Sequence, residues 1–284
     1  MVRFLLSGLI AASQLAAQTL EVHSEFLRVN PQGEILLTDA TPKPREFLSP
    51  GIVRNGFASF HVVVRSPRPT SYFLLVGTNP PNILRTAIYK EQFVKRGEDW
   101  IPDTLELLRP PNFGVIPDSG GGISGQTACS YLLDVWVPPD APADTIRLEV
   151  QLKMGTWTIY PMEVRVLPAR VPAVAGVAEP LPEIEQRADE AAMAPLVGYM
   201  GRHGEGPVAT RTPGGSETGT APGTLREAIR RNAEQDMALA RGLDTRTLLP
   251  ALKEKLAPTA TGGEWYLGIR DLIYRLSSKA PPRD

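Results

Sequence analysis

Thiol-based nucleophilic catalysis in this chain would have to use its single cysteine, Cys129, together with one of three histidines. A catalytic thiol needs a neighbouring base, and the candidates are His23, His61 and His203. His61 lies in an alternating apolar segment and His203 in a glycine-rich one. Cys129 stands just before an apolar run, which favours a small buried side chain over a reactive one. The pattern therefore predicts no Cys–His site, and one thiol allows no internal disulfide.

A run of glycines at positions 120–122 suggests a phosphate-binding loop. That chemistry needs a strand before the loop, and a Lys-Ser or Lys-Thr pair with a helix after it. Neither is present, so residues 110–126 are predicted to form a long surface loop. We predict no cofactor and no metal site.

Composition and charge exclude some functions. The chain has 284 residues and a formal net charge of −1, which argues against nucleic acid as a partner because phosphate binding needs a basic face. Residues 1–18 have the charged start, short apolar core and small residues of a signal peptide. We therefore predict a secreted or periplasmic protein with no membrane span in the mature chain.

Short strands separated by proline and glycine corners dominate residues 19–168. In the clearest example, residues 131–137, Leu133, Val135 and Val137 share one face, and the prolines that follow end the strand. A second strand follows at 146–153, and others are predicted at 58–65, 72–77, 84–93 and 157–167. A hairpin over residues 20–38 is expected around the turn Asn-Pro-Gln-Gly at 30–33. The prediction is an antiparallel β-sandwich of about seven to nine strands.

The pattern changes after residue 168. Residues 169–223 are rich in proline and glycine and are predicted to be a partly disordered linker, with a short helix at 183–193. Residues 224–284 are predicted to be helical, with helices at 224–243, 246–256 and 264–276. The first of these has the capping-box pair Thr224 and Glu227.

The last helix is amphipathic, with apolar residues recurring on one face. It could pack on the sandwich or on another helix, or it could dock a partner protein. The candidate partner-contact residues are Trp265, Ile269, Leu272, Ile273 and Leu276.

Residues 20–167 resemble the N-terminal β-sandwich domain of bacterial glycoside hydrolase family 123-like proteins, the domain that precedes their catalytic barrel. The most specific segment is 135–143, VWVPPDAPA, which is similar to the family's V-P-k-D-A-P-A-G corner. Residues 54–64 resemble the family's rnE-x-x-sfQ-l-v-v strand, residues 99–108 its y-P-D-p-L-l-P-l segment, and residues 163–166 its closing strand. Two positions depart from the pattern: Gly56 replaces a glutamate and Asp144 a glycine.

The resemblance does not carry the family's activity to this chain. A catalytic barrel needs about 250 residues, and about 115 follow position 167. The adjacent acids Asp189 and Glu190 lie in a charged helical pattern. Asp103, Asp134 and Asp140, three acids in or next to the matched segments, would have to converge at about 5–10 Å to hydrolyse a glycoside.

Three hypotheses for function follow. The first, which we favour, is a non-catalytic carbohydrate-associated module, in which exposed tryptophans stack on sugar rings; the candidate ligand contacts are Trp100, Trp136 and Trp157. The second is a structural or interaction protein that docks another envelope protein through its C-terminal helices. The third is a glycoside hydrolase with an unrecognised site.

Overall fold

The computed structural model describes residues 19–36, 49–172, 222–243 and 263–279. The strands in these ranges are β1 (Thr19–Ser24), β2 (Gly51–Arg54), β3 (Phe57–Arg65), β4 (Thr70–Asn79), β5 (Arg85–Arg96), β6 (Asp99–Leu107), β7 (Asn112–Ile116), β8 (Ala128–Trp136), β9 (Thr145–Met154) and β10 (Thr156–Arg170). The helices are α1 (Leu225–Arg241) and α2 (Gly263–Lys279).

The ten strands form two five-stranded sheets. The first sheet has the order β1-β3-β8-β5-β6 and the second β2-β10-β9-β4-β7. Every described pairing is antiparallel except that of β2 with β10, which is parallel. The predicted fold class, a mainly β sandwich with a small helical region, is confirmed.

The core between the sheets comes from the alternation seen in the sequence. Leu133, Val135 and Val137 point into it and are fully buried. On β9 the inward residues Ile146, Leu148 and Val150 are also fully buried. Burying each such side chain stabilises the fold by about 1.5–3 kcal/mol, so this inner layer holds the two sheets together.

The prediction of an unbroken loop at 110–126 was wrong in part, because β7 lies within it and pairs with β4. A strand of five residues with Gly114 at its centre carries little periodic signal. The buried ring of Tyr72, the residue paired with Gly114 on β4, leaves no room for a larger side chain there. A Cβ at position 114 would come within 2.7 Å of Tyr72 Cε2. Only the pairing with β4 makes this segment a strand.

Both described helices pack on the sandwich. The capping box of α1 is formed as predicted, with Thr224 accepting from the Glu227 amide. Ahead of it, the Leu105 amide of β6 donates to the Gly223 carbonyl at 2.8 Å, so this segment covers the edge of the first sheet. The helix α2 contacts α1, β10 and β2. Two of the alternatives left open for the last helix are observed together: it packs on the sandwich and on another helix, α1.

Several predicted segments lie outside the described residues: the signal peptide at 1–18, the helices at 183–193 and 246–256, and most of the 169–223 linker. Of the helices in the described ranges, none is both long and apolar enough to cross a membrane.

Candidate ligand-binding face

The three tryptophans predicted as ligand contacts lie in different places. Trp100 is half-buried on β6 of the first sheet, opposite Lys95. Trp136 is half-buried at the end of β8, with its ring 6.4 Å from that of Phe57. Trp157 is the second residue of β10 in the second sheet and is 49% exposed. The structure therefore does not bring the three together.

Trp157 instead belongs to a line of side chains that crosses the outer face of the second sheet. In the strand register Phe113 pairs with Phe73, Phe73 with Lys153, and Lys153 with Trp157. Residues paired across strands point to the same side. We call these four residues the aromatic row; they come from β7, β4, β9 and β10 in turn.

The row is open to solvent at both ends, and its side chains are in close contact at each end. Phe113 is 73% exposed, and its ring centroid lies 4.9 Å from that of Phe73. At the other end, Lys153 Nζ lies 5.5 Å from the centre of the Trp157 ring. Ile159, 51% exposed, and Val115, 44% exposed, extend the apolar surface beside the row. Exposed apolar side chains scattered singly are ordinary, but a contiguous patch marks an interaction site.

The strands beneath the row are fixed from inside the sandwich. Tyr72, the inward neighbour of Phe73, is buried, and its hydroxyl hydrogen-bonds the hydroxyl of Tyr131 on the opposite sheet. Burial raises the pKa of both phenols well above the usual value, so both stay neutral. This contact ties β4 to β8 directly under the aromatic row.

Sequence reasoning proposed Trp157 as a ligand contact and did not name the other members of the row. Phe73, Lys153 and Phe113 are separated by 40 or more positions in the chain. Only the order of the strands aligns them. The one signal in the sequence was that Lys153 and Gln151 share the polar face of β9, opposite its apolar residues, which places Lys153 on the outer side of the sheet.

Two of the acids considered for catalysis, Asp103 and Asp134, and the thiol are held in structural contacts, while Asp140 is exposed and Asp189 and Glu190 lie outside the described residues. Asp103 accepts from Arg96 at 2.6 Å in the β5–β6 hairpin. Asp134 is buried and accepts from both terminal nitrogens of Arg231, at 2.6 and 2.8 Å. Cys129 points into the core, and burial raises the pKa of its thiol. His61 is on the adjacent strand with its side chain on the opposite side of the sheet, so no Cys129–His61 site forms.

The outer face of the first sheet carries a second, buried feature that the sequence did not predict. Its polar side chains meet polar side chains of both helices. We call this set the polar interface; it comprises Glu25, Ser59, Asp134, Arg231, Asn232, Gln235, Asp236, Arg270 and Tyr274.

Arg270 on α2 is the centre of the polar interface. Its Nη2 donates to Glu25 Oε1 at 2.7 Å and its Nε to Asp236 Oδ2 at 2.8 Å. The Tyr274 hydroxyl donates to the other oxygen of Asp236 at 2.5 Å. Burial, and the charge of Asp236 next to it, raise the pKa of the Tyr274 phenol well above the usual value.

Two residues of α1 bind strand β3 directly. Gln235 donates to the Phe57 carbonyl at 2.7 Å and accepts from the Phe57 amide at 2.8 Å, so its amide group acts as a further strand partner. Asn232 donates to Ser59 Oγ at 3.0 Å and to Glu25 Oε2 at 3.1 Å. These contacts fix the position of α1 on the sheet.

Beside the polar interface, His61 Nδ1 lies 2.6 Å from Glu91 Oε1, and both side chains are fully buried. His61 Nε2 lies 3.2 Å from the Glu25 carbonyl oxygen. A substrate in solvent cannot reach this pair. We assign the His61–Glu91 pair a structural role, because it links β3 to β5 across the first sheet.

The residues predicted to contact a partner protein lie on α2. Ile269 and Ile273 are buried in a cluster with Phe26 and Val53, while Leu272 and Leu276 are partly buried against it. The side chain of Trp265 lies outside the described residues. A partner could contact Ile269 and Ile273 only if α2 left the sandwich.

No set of three or more metal-ligating side chains occurs within the described ranges.

No family model matches the chain, and no curated protein matches it. Among solved structures, it is similar to a family 123 glycoside hydrolase from Clostridium perfringens, at 9% identity and a TM-score of 0.39. The match covers 56% of this chain and 29% of the hydrolase chain.

A type I cohesin from Pseudobacteroides cellulosolvens matches at 10% identity and a TM-score of 0.24, covering 48% of this chain and 92% of the cohesin. A non-cellulosomal cohesin from Archaeoglobus fulgidus matches at 10% identity and a TM-score of 0.21, covering 42% and 87%. Similarities this weak are compatible with a β-rich fold and do not assign the chain to a family.

Proposed function

We propose that this chain is an exported, non-catalytic protein that binds carbohydrate on the outer face of its second sheet. The observation that carries the proposal is the aromatic row, with Phe113 73% exposed and Trp157 49% exposed on one open sheet face. Aromatic side chains there can stack on the apolar faces of pyranose rings, because their own apolar faces are open to solvent.

The dimensions and chemistry of the face fit a glycan. The row crosses three strand spacings, or about 14 Å at the usual separation of neighbouring strands, which allows contact with more than one sugar ring. Polar groups stand beside the rings: Gln151 is next to Lys153 on the same side of β9, and Glu149 follows it. Such groups can hydrogen-bond sugar hydroxyls while the aromatic side chains stack.

A non-catalytic role is supported by the ion pairs that hold two of the acids considered for catalysis. Asp134 is buried and paired with Arg231, and Asp103 is paired with Arg96. Neither carboxylate lies on the face that carries the aromatic row. Export is supported by the signal-peptide pattern of residues 1–18.

The test is binding of the mature protein, residues 19–284, to a set of soluble and insoluble polysaccharides, with Trp157→Ala and Phe113→Ala as the variants. Removing either exposed ring is expected to weaken binding about tenfold, which corresponds to a residue that contributes about 1.4 kcal/mol to binding. Leu107→Ala is the matched control, since Leu107 is 50% exposed but lies on the first sheet.

The variant Trp100→Ala shows which of the two sheets binds the ligand. If binding is lost with Trp100→Ala and kept with Trp157→Ala, the ligand lies on the first sheet and the proposed face is wrong. If no glycan binds, the carbohydrate function is wrong, and the exposed apolar face becomes a candidate site for a partner protein.

A further inference from the structure

The aromatic row contains one charge, and its position indicates what kind of glycan the face recognises. Lys153 stands between Phe73 on β4 and Trp157 on β10, paired with both across the sheet. Its ammonium lies 5.5 Å from the centre of the Trp157 ring. A cation thus lies beside the exposed ring of Trp157, the one tryptophan of the row.

Among the described residues, no acid of this face is paired with that cation. The carboxylate nearest along β9 is Glu149, which is held by Arg147 Nε at 2.6 Å and by Gln151 Nε2 at 2.9 Å. Gln151 stands between Glu149 and Lys153. The diagonal neighbours of Lys153 on this face are Ser71 and Leu75 on β4 and Gly155 and Ile159 around β10, all uncharged.

Interaction with an exposed ring stabilises an ammonium by only about 0.5–1 kcal/mol. Lys153 therefore keeps most of its capacity to bind an anion, and a charge-assisted hydrogen bond to a carboxylate is about twice as strong as a neutral one. The aromatic rings on both sides supply the stacking surface for the sugar that carries the carboxylate.

We infer that the aromatic row binds an acidic glycan, with a sugar carboxylate on Lys153 and pyranose rings on Trp157 and Phe73. This inference rests on the proposed carbohydrate function and narrows it to one substrate class. A single cation among aromatic residues suits a sugar carboxylate better than a phosphate polymer, which needs a series of basic residues. The net charge of −1 supplies no general attraction for polyanions.

The experiment compares two forms of one polymer, polygalacturonate and its methyl ester, by isothermal titration with the mature protein. The wild type is expected to bind the acid form about tenfold more tightly than the ester, and increasing salt is expected to reduce that difference. Lys153→Gln is expected to remove the preference for the acid form over the ester.

Lys95→Gln is the matched control, because Lys95 also lies opposite a tryptophan, Trp100, but on the first sheet. It is expected to change neither affinity. Single-stranded DNA is the polyanion control and is expected not to bind.

The outcomes separate this inference from the function on which it rests. If both polymers bind equally and Trp157→Ala weakens both, the carbohydrate function stands and the acidic class is refuted. If Lys153→Gln and Lys95→Gln weaken acid binding equally, the role assigned to Lys153 is refuted. If no glycan binds, acidic or neutral, the proposed function fails and this inference fails with it.

Discussion

Replacing Arg270 by methionine tests whether the polar interface holds the helices on the sandwich. The guanidinium bridges Glu25 at 2.7 Å and Asp236 at 2.8 Å, and the three side chains are 9%, 2% and 1% exposed. Methionine preserves much of the volume and removes the charge. Two buried carboxylates then lose a cationic partner at once.

Removing one partner of a buried ion pair costs about 3–5 kcal/mol, because the other charge stays buried without compensation. Here both carboxylates keep other donors: Asn232 lies 3.1 Å from Glu25, and Tyr274 lies 2.5 Å from Asp236. We therefore expect Arg270→Met to lower the free energy of unfolding by about 3 kcal/mol, the lower end of that range. Adding Asp236→Asn to this variant removes one of the two charges and is expected to recover part of the loss.

The control is Arg275→Met on the same helix. Arg275 pairs with Asp271 at 2.7 Å, but its side chain is 54% exposed. Exposed pairs at this spacing contribute about 0.3–0.5 kcal/mol. Urea unfolding, followed by circular dichroism and by tryptophan fluorescence, gives both values from the shift in midpoint at unchanged slope. If Arg270→Met lies within 1 kcal/mol of Arg275→Met, the bridge does not stabilise the docked helices and the reasoning is refuted.

Two further predictions concern the interior. Four phenols have a raised pKa, that of Tyr89 reaching about 12 because burial disfavours the charged form; the others are Tyr72, Tyr131 and Tyr274. The stability that these raised pKa values contribute is fully present below the unfolded pKa near 10 and is lost as the pH rises towards the folded pKa values. Unfolding by urea at about pH 11 should therefore increase phenolate absorbance by the signal of these four tyrosines. No increase would show that they already ionise in the folded state. Gly114→Ala should lower stability by about 1–3 kcal/mol through overpacking, since its Cβ would lie 2.7 Å from Tyr72 Cε2. The control Gly77→Ala on β4 meets nothing nearer than Gln151 Nε2 at 3.6 Å, and equal melting temperatures for the two variants would contradict the packing argument.

The sequence was sufficient for elements whose local pattern is strong. Alternation with period two predicted β8 and β9 and the inward direction of Leu133 and Val135, because side chains alternate sides along a strand. The pair Thr224 and Glu227 predicted the start of α1, because a capping box satisfies amide groups at a helix N-terminus. These features depend on neighbours within a few residues, which the sequence contains.

The tertiary structure alone decided the positions of the polar interface and the aromatic row. Residues such as Asp134 face away from the core, and the same alternation that predicts this face does not show that helices cover it. Phe73, Phe113 and Lys153 become neighbours only through the strand order β10-β9-β4-β7 and its register. The sequence by itself determined the two-sheet architecture, because alternation along each strand is a local pattern. Strand order follows from the packing of the whole sandwich, so only the pairing of distant strands determined which side chains meet.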